Sequence, residues 1–403
     1  MKYIVLVGDG MSDRPLDELN GRTPLEVSHC QNMDEIVKSG RIGTALTIPK
    51  GMTPASDVAN LSILGYDPKK YYSGRGPLEA ENIGVDLGKN DVAFRCNLVT
   101  EAGDKMVDYS AGHITTKEAK VLIETIDKAL GNEKIKFYPG MSYRHLMVLK
   151  TKFKEEARKF SKIKCMPPHD IVDKSVTKNM PQGDGQKILR GLMKKSREIL
   201  AHTDINKVRI DLGENPASMI WLWGQGVKPD MPLFKDLYGV TGSIISAVDL
   251  IKGTGKIIGL EVINVPGATG YYDTNYKGKG EYALKALENK NFVFVHVEAP
   301  DEAGHNGDIR EKISAIENFD KFVVGTIWEE FKKRNDFRIM VLPDHATPIS
   351  VRTHTTDPIP FAVCGEGVEP DRACVFTEAA ARATRFTIRE GWLLMKYLIY
   401  ARV

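Results

Sequence analysis

Three apolar, β-prone runs in this chain stop abruptly in polar turns: KYIVLVGDGMSD, FVFVHVEAPDEAGHNGD and FRIMVLPDHATP. That grammar predicts strands whose carboxyl ends carry chemistry, which is how an α/β sheet presents a site at its edge. The turns hold Asp9, Asp301 with His305, and Asp344 with His345, and His354 follows in THTTDP within loop reach. Carboxylate and neutral imidazole together suit Mn²⁺ or Zn²⁺ better than Ca²⁺, which prefers oxygen alone. The expectation is therefore a pair of divalent ions, Mn²⁺ foremost and Zn²⁺, Co²⁺ or Mg²⁺ as the other choices, with three imidazoles arguing against Mg²⁺ alone.

Each place also has a plainer reading. Asp9 in GDG could be a turn residue, and the i, i+4 spacing of Asp301 and His305 puts both on one helical face by geometry or by accident. Asp344 and His345 are harder to dismiss, since two adjacent polar residues at a strand end cannot both be core. The coincidence of all four places is what carries the metal expectation.

Between these segments the chain alternates. Strand-like runs at 2–7, 219–224, 257–263, 292–297 and 338–342 are separated by helix-length segments at 243–252, 281–289, 310–333 and 386–400. That is the pattern of a mostly parallel sheet flanked by helices. From about residue 90 to 210 the texture changes to short or amphipathic strands (VAFRCNLV, RHLMVLK) and lysine-rich helices. The economical reading is an inserted α+β domain at 90–210 interrupting a first domain made of 1–89 and 211–403. MPPHDIVDKSVTKNMPQGDGQ reads as a long loop of the kind that is often functional.

With 403 residues, 42% hydrophobic and 27% charged, the chain can bury two full cores. A net charge of +3 with scattered lysines gives no nucleic-acid or membrane footprint, though it favours a small anionic substrate. Five cysteines with no CxxC pair fit a reducing cytoplasm, and no run of apolar residues is long enough to span a bilayer. The expected location is cytoplasmic; the oligomeric state stays open.

In MTPASDVANLSILGYDP, Ser56 precedes an apolar run with helical spacing. A helix N-terminus there would favour a phosphate carried by or bound near Ser56. Serine is equally a favoured N-cap, but beside a two-metal site its hydroxyl becomes a candidate nucleophile. A GxSxG elbow for a Ser-His-Asp alternative is missing. Arg95 in VAFRCNL and Arg144 in SYRHLMVL could grip a carboxylate or phosphate by forked hydrogen bonds, or bridge surface elements. Of the remaining histidines, His113 and His169 read as polar and loop-borne, His296 as a satisfied core residue, His29 and His202 as surface, and His145 as the start of a strand.

The phrases GDGMSDRP, TPASDVANLSILGYDP, GRGPLEAENIG, VPGATGYYDTNYKGK, EAPDEAGHNGD and LPDHATP resemble the archaeal-type cofactor-independent phosphoglycerate mutases of the alkaline phosphatase superfamily, over essentially the whole chain. The resemblance implies a phosphatase-like metal domain interrupted by a substrate domain that closes over the site. It implies one ion on Asp9, Ser56, Asp344 and His345 and the other on Asp301, His305 and His354. Ser56 would take the phosphoryl group from 3-phosphoglycerate and pass it to the 2-hydroxyl of the retained glycerate, without 2,3-bisphosphoglycerate. His113, Arg95 and Arg144 are the expected substrate contacts. Alternatives are a metal-dependent phosphomonoesterase using the same serine and a homoserine kinase, the latter disfavoured because no GxxxxGK[ST] or kinase-type glycine loop is present. A non-enzymatic metal- or phosphosugar-binding protein is disfavoured by the full set of seven candidate residues.

Overall fold

In the computed structural model, which describes residues 1–401, the chain divides into two compact units: Met1–Tyr72 with the segment from Met231, and Ser73–Asp230. The expected boundaries at 89/90 and 210/211 therefore lie inside the second unit. The Arg75–Asn82 helix packs on the Val92–Ala102 strand, and the Met219–Val227 strand pairs with that same strand. Contacts far apart in sequence, not local texture, set these limits.

The first unit holds an eight-stranded sheet in the order Thr387–Ile388, Gly40–Ala45, Ile359–Gly365, Phe337–Leu342, Lys2–Gly8, Phe292–Val297, Gly242–Ile245, Glu261–Val262. Only Ile359–Gly365 runs against the others, pairing antiparallel with both of its neighbours. The central strand shows why the chain reads as an uninterrupted apolar run: Ile4, Val5, Leu6 and Val7 are all fully buried, and successive residues enter cores on opposite faces. A parallel strand covered by helices on both sides has no solvent face and no polar alternation.

Several local expectations are corrected. The 219–224 run is a strand, but an antiparallel one of the second unit. Residues 243–252 and 257–263 exchange roles, giving a strand at Gly242–Ile245 and a helix at Asp249–Ile257, with only Glu261–Val262 extended after it. Isoleucines lie on both sides of that helix, so apolar content alone cannot tell strand from helix. The 386–400 segment begins as the short Thr387–Ile388 strand and becomes helical at Leu393–Tyr400. The expected helix at 310–333 is interrupted by a π-turn at Phe319–Val324. There Asp320 accepts hydrogen bonds from the Asn32 and Met33 amides at 3.1 and 2.7 Å, capping the Gln31–Lys38 helix from a distance.

The second unit is a five-stranded sheet in which Val92–Ala102 pairs antiparallel with Lys105–Asp108, Arg144–Leu149 and Met219–Val227. The helices Thr116–Leu130 and Gln186–Ala201 bury apolar stripes in the same core. The presumed loop after Met166 contains the short turns Pro168–Ile171 and Val176–Asn179. All five cysteines are free thiols, and no helix among the described residues is long and apolar enough to cross a membrane.

Candidate metal centre

Asp9 directly follows the Lys2–Gly8 strand, Asp301 and His305 lie on the Ala299–Asn306 helix after Phe292–Val297, and Asp344 and His345 follow Phe337–Leu342. These three strands are adjacent in the sheet, so their carboxyl ends converge. Asp301, His305 and His354 offer ligand atoms within 4.8 Å of one another, and so do Asp9, Asp301 and His345. With Asp344 grouped beside Asp9 and Ser56 Oγ 3.1 Å from His345 Nε2, all seven expected residues meet in one cluster.

The hydrogen bonds define which lone pairs point inward. His305 Nδ1 donates to the Arg352 carbonyl at 3.0 Å, leaving Nε2 facing Asp301 Oδ2 at 3.2 Å and His354 Nε2 at 3.0 Å. Thr347 Oγ1 donates to Asp301 Oδ1, so the same oxygen is the acceptor for His345 Nδ1–H at 3.2 Å. That fixes the His345 tautomer and turns its Nε2 lone pair toward Ser56 Oγ at 3.1 Å and toward Asp9 Oδ1 and Asp344 Oδ2, each at 3.5 Å.

Ser56 is the first residue of the Ser56–Ile63 helix; Ala55 is the N-cap and makes no side-chain cap bond. The serine is therefore not a capping residue, and its hydroxyl is spent on the cluster. Asn60, one helical turn on, donates to the Ser56 carbonyl and to Asp344 Oδ2, both at 2.8 Å.

Two observations test the fit of a cation here. Asp9 Oδ1 is buried with no hydrogen-bond donor, a cost that a positive charge offsets. Burial, then Asp344 and Asp301, raises Asp9 well above the usual carboxylate range. Burial works against ionisation of Asp301 and Asp344 too, but His305 and His354 hold Asp301 well below its ordinary value, and His345 with His296 does the same for Asp344. His345 is pushed down to about 4, mainly by burial, so it is a neutral donor of a lone pair. The residues fit divalent cations.

Beneath the cluster lie two buried ion pairs. Lys312 Nζ contacts Asp13 Oδ2 at 2.6 Å and the Thr347 carbonyl at 2.8 Å, tying the Asp9 turn to the Asp344 turn. Lys279 Nζ contacts Glu298 Oε2 at 2.6 Å and the His296 carbonyl at 2.9 Å. Gly10 is constrained by close approach: its φ is +60°, and an added Cβ would meet Asp301 Oδ1 at 2.5 Å and Asp301 Cα at 2.7 Å. Gly10→Ala is expected to cost at least ~1–2 kcal/mol from the left-handed backbone alone and to lower metal content. Thermal denaturation with metal analysis checks this; wild-type values for both would show that the turn relaxes freely.

In the second unit, Arg95 and Arg144 lie on neighbouring strands, with Arg95 opposite Leu146 and Arg144 opposite Asn97, so both side chains share one face. Arg95 is buried, pairs with Glu79 at 3.0 Å and sits 4.5 Å over the Trp223 ring, which Arg75 also approaches at 5.6 Å. Desolvation, and the nearby Arg75 and Arg144, lower Arg95 from its ordinary value. The Arg144 Nε is buried without a partner, and exposed His113 has its ring 6.4 Å from Tyr143. His145 is buried and kept neutral, pushed down to about 3 by burial and Arg144.

Sequence reasoning missed Thr347, Asn60, Arg75 and the Lys312–Asp13 pair. Thr347 and Arg75 lie inside the diagnostic phrases LPDHATP and GRGPLEAENIG, and Asn60 is i+4 from Ser56, so the signal was proximity in the motif. Nothing local marks Lys312. His296 was expected to be a satisfied core histidine; it is fully buried, but its Nδ1 has no hydrogen-bond partner and its ring faces Asp9 and Asp344.

A mostly parallel α/β sheet with carboxylates, imidazoles and a helix-terminal serine gathered at its strand ends defines an α/β enzyme with a candidate metal centre. Residues 37–206 match the model of the 2,3-bisphosphoglycerate-independent phosphoglycerate mutase family. A curated relative in Methanothermobacter thermautotrophicus, 2,3-bisphosphoglycerate-independent phosphoglycerate mutase 2, is 51% identical over 98% of this chain and 94% of its own length. A Pyrococcus horikoshii protein of solved structure aligns with a TM-score of 0.84 and 31% identity over 100% of this chain and 98% of that one. The cofactor-independent phosphoglycerate mutase of Thermoplasma acidophilum aligns with a TM-score of 0.66 and 26% identity over 100% of both chains. The chain belongs to the 2,3-bisphosphoglycerate-independent phosphoglycerate mutase family, and it is an isomerase of that family.

Proposed function

We infer that the protein interconverts 3-phosphoglycerate and 2-phosphoglycerate through a phosphoserine on Ser56, without 2,3-bisphosphoglycerate. The observation that carries this reading is the approach of Ser56 Oγ to His345 Nε2 at 3.1 Å inside the carboxylate and imidazole cluster. The names of the relatives support the substrate.

Asp9, Ser56, Asp344 and His345 would hold one divalent ion and Asp301, His305 and His354 the other, with Mn²⁺ the best match to the donor set. Bound there, the two ions supply positive charge that favours the serine alkoxide and offsets charge on the phosphoryl oxygens. Ser56 Oγ attacks phosphorus, the bond from phosphorus to the glycerate 3-oxygen breaks, and that oxygen takes up a proton. The glycerate 2-hydroxyl then attacks the phosphoserine, loses its proton and returns Ser56 to its hydroxyl form. Arg95, Arg144 and His113 are proposed to hold the substrate anion, which must remain bound and shielded from water for the second transfer.

The deciding experiment is a coupled assay of Mn²⁺-loaded protein with 3-phosphoglycerate alone, following 2-phosphoglycerate and free phosphate. The first product with little of the second is expected; free phosphate alone would make the protein a phosphomonoesterase.

Ion binding should also displace a proton. Burial pulls His305 down, but the hydrogen bond and charge of Asp301 outweigh it and hold the ring up to about 9. Below that pH the metal-free ring is protonated, and a ligating imidazole must be neutral, so affinity should rise as pH increases toward 9. Near neutral pH about one proton per chain should be released at this ring. Calorimetric titration in buffers of different ionisation enthalpy measures it; zero net release would contradict the assignment.

A further inference from the structure

We propose that His296 is a positioning residue of the metal centre, holding the Asp9 and Asp344 carboxylates in place so that the unpartnered Asp9 Oδ1 faces the ions. This rests on the metal-binding reading above. His296 is fully buried on the Phe292–Val297 strand and pairs with Val7, two residues before Asp9. Its Nε2 lies 3.4 Å from Asp9 Oδ2, 3.8 Å from Asp344 Oδ2 and 3.4 Å from Asn60 Nδ2. Its Nδ1 lies 3.4 Å from Glu298 Oε1.

An ordinary buried histidine pairs one nitrogen with a donor and the other with an acceptor. His296 instead has carboxylates beyond both nitrogens, and Glu298 is itself anchored. Glu298 Oε1 accepts from Ser246 Oγ at 2.9 Å and the Ala247 amide at 2.7 Å, while Oε2 takes the Lys279 ammonium at 2.6 Å. The result is a column of close approaches from Lys279 through Glu298 and His296 to the two aspartates.

The consequence is visible at Asp9. With Oδ2 engaged by His296, Oδ1 is left without a donor and faces His345. At Asp344, Oδ1 accepts from the Gly10 and His345 amides at 3.1 and 2.9 Å, which leaves Oδ2 shared by Asn60 and the two histidines. His296 groups with Asp9 and Asp344, whereas His305 and His354 group only with Asp301, the carboxylate that also meets Asp9 and His345. Its influence should therefore be confined to one of the two ions. Partners that orient ligating groups typically change metal affinity by about 10–100-fold when removed.

The test is Mn²⁺ binding by equilibrium dialysis, with the electron paramagnetic resonance spectrum of the bound ion, for wild type, His296→Ala and His296→Gln. Wild type should bind two ions. The alanine variant should bind one of them about 10–100-fold more weakly with an altered spectrum and the other unchanged, and glutamine, which keeps an N–H donor, should recover part of the loss. Unchanged affinity and spectrum in His296→Ala would overturn the proposal, as would equal weakening of both ions with a lowered melting temperature, which marks general packing. Wild type that binds no Mn²⁺ would overturn the metal reading itself, and this proposal with it. The isosteric Glu298→Gln, expected to weaken the same ion selectively, replaces the alanine variant if that one does not fold; no effect there would count against the column.

Discussion

Ser56→Ala should abolish phosphoryl transfer, with a fall on the order of 10⁶-fold, the scale reached when a serine nucleophile is removed. The fold should be almost untouched. Ser56 is half-buried, caps nothing, and its hydroxyl is hydrogen-bonded to His345 Nε2 at 3.1 Å. A stability change within about 0.5 kcal/mol is expected for such a site, because alanine is at least as good a helix former. The check combines the coupled assay with mass spectrometry of the Ser56 peptide, where wild type exposed to substrate should carry a phosphoryl group. Full activity in the variant would remove Ser56 from the mechanism.

Exhaustive chelation should silence the enzyme and destabilise it together, and Mn²⁺ should restore both. Asp9, Asp301 and Asp344 are buried against one another, an arrangement that only positive charge makes tolerable. In the metal-free protein burial and the other two carboxylates raise Asp9, while Asp301 and Asp344 are depressed by the neighbouring imidazoles despite their burial. Binding energy for an ion that recognises only the folded site is folding energy, about 2.7 kcal/mol at a hundred times Kd. Differential scanning calorimetry against Mn²⁺ concentration, run beside the mutase assay, measures both effects. Activity undiminished after complete metal removal would refute the two-metal reading.

Much of this candidate site was legible in the sequence, because five of its seven residues follow strand ends that carry their own local signatures. Asp9 after VLVG, Asp301 with His305 one helical turn apart, and Asp344 with His345 after MVLP are all short-range patterns. The same holds for the parallel sheet, whose buried strands read as unbroken apolar runs. One side of it did not. Gly40–Ala45 and Ile359–Gly365 carry glycine or proline and become strands by pairing with each other and with Thr387–Ile388 and Phe337–Leu342, and at Gly40 an added Cβ would lie 2.0 Å from the Val363 carbonyl oxygen.

The amino-acid sequence by itself determined the α/β class and the family, and it singled out the seven side chains that the fold brings together. Tertiary structure alone decided that Thr347 sets the His345 tautomer, that Lys312 ties the Asp9 and Asp344 turns together, and that His296 faces two aspartates rather than an apolar core. It also moved the limits of the second unit to Ser73 and Asp230. The physical reason is range: periodicity, turn chemistry and i, i+4 spacing act within a few residues. Which lone pair faces which, in contrast, depends on side chains brought together from as far apart as Asp13 and Lys312.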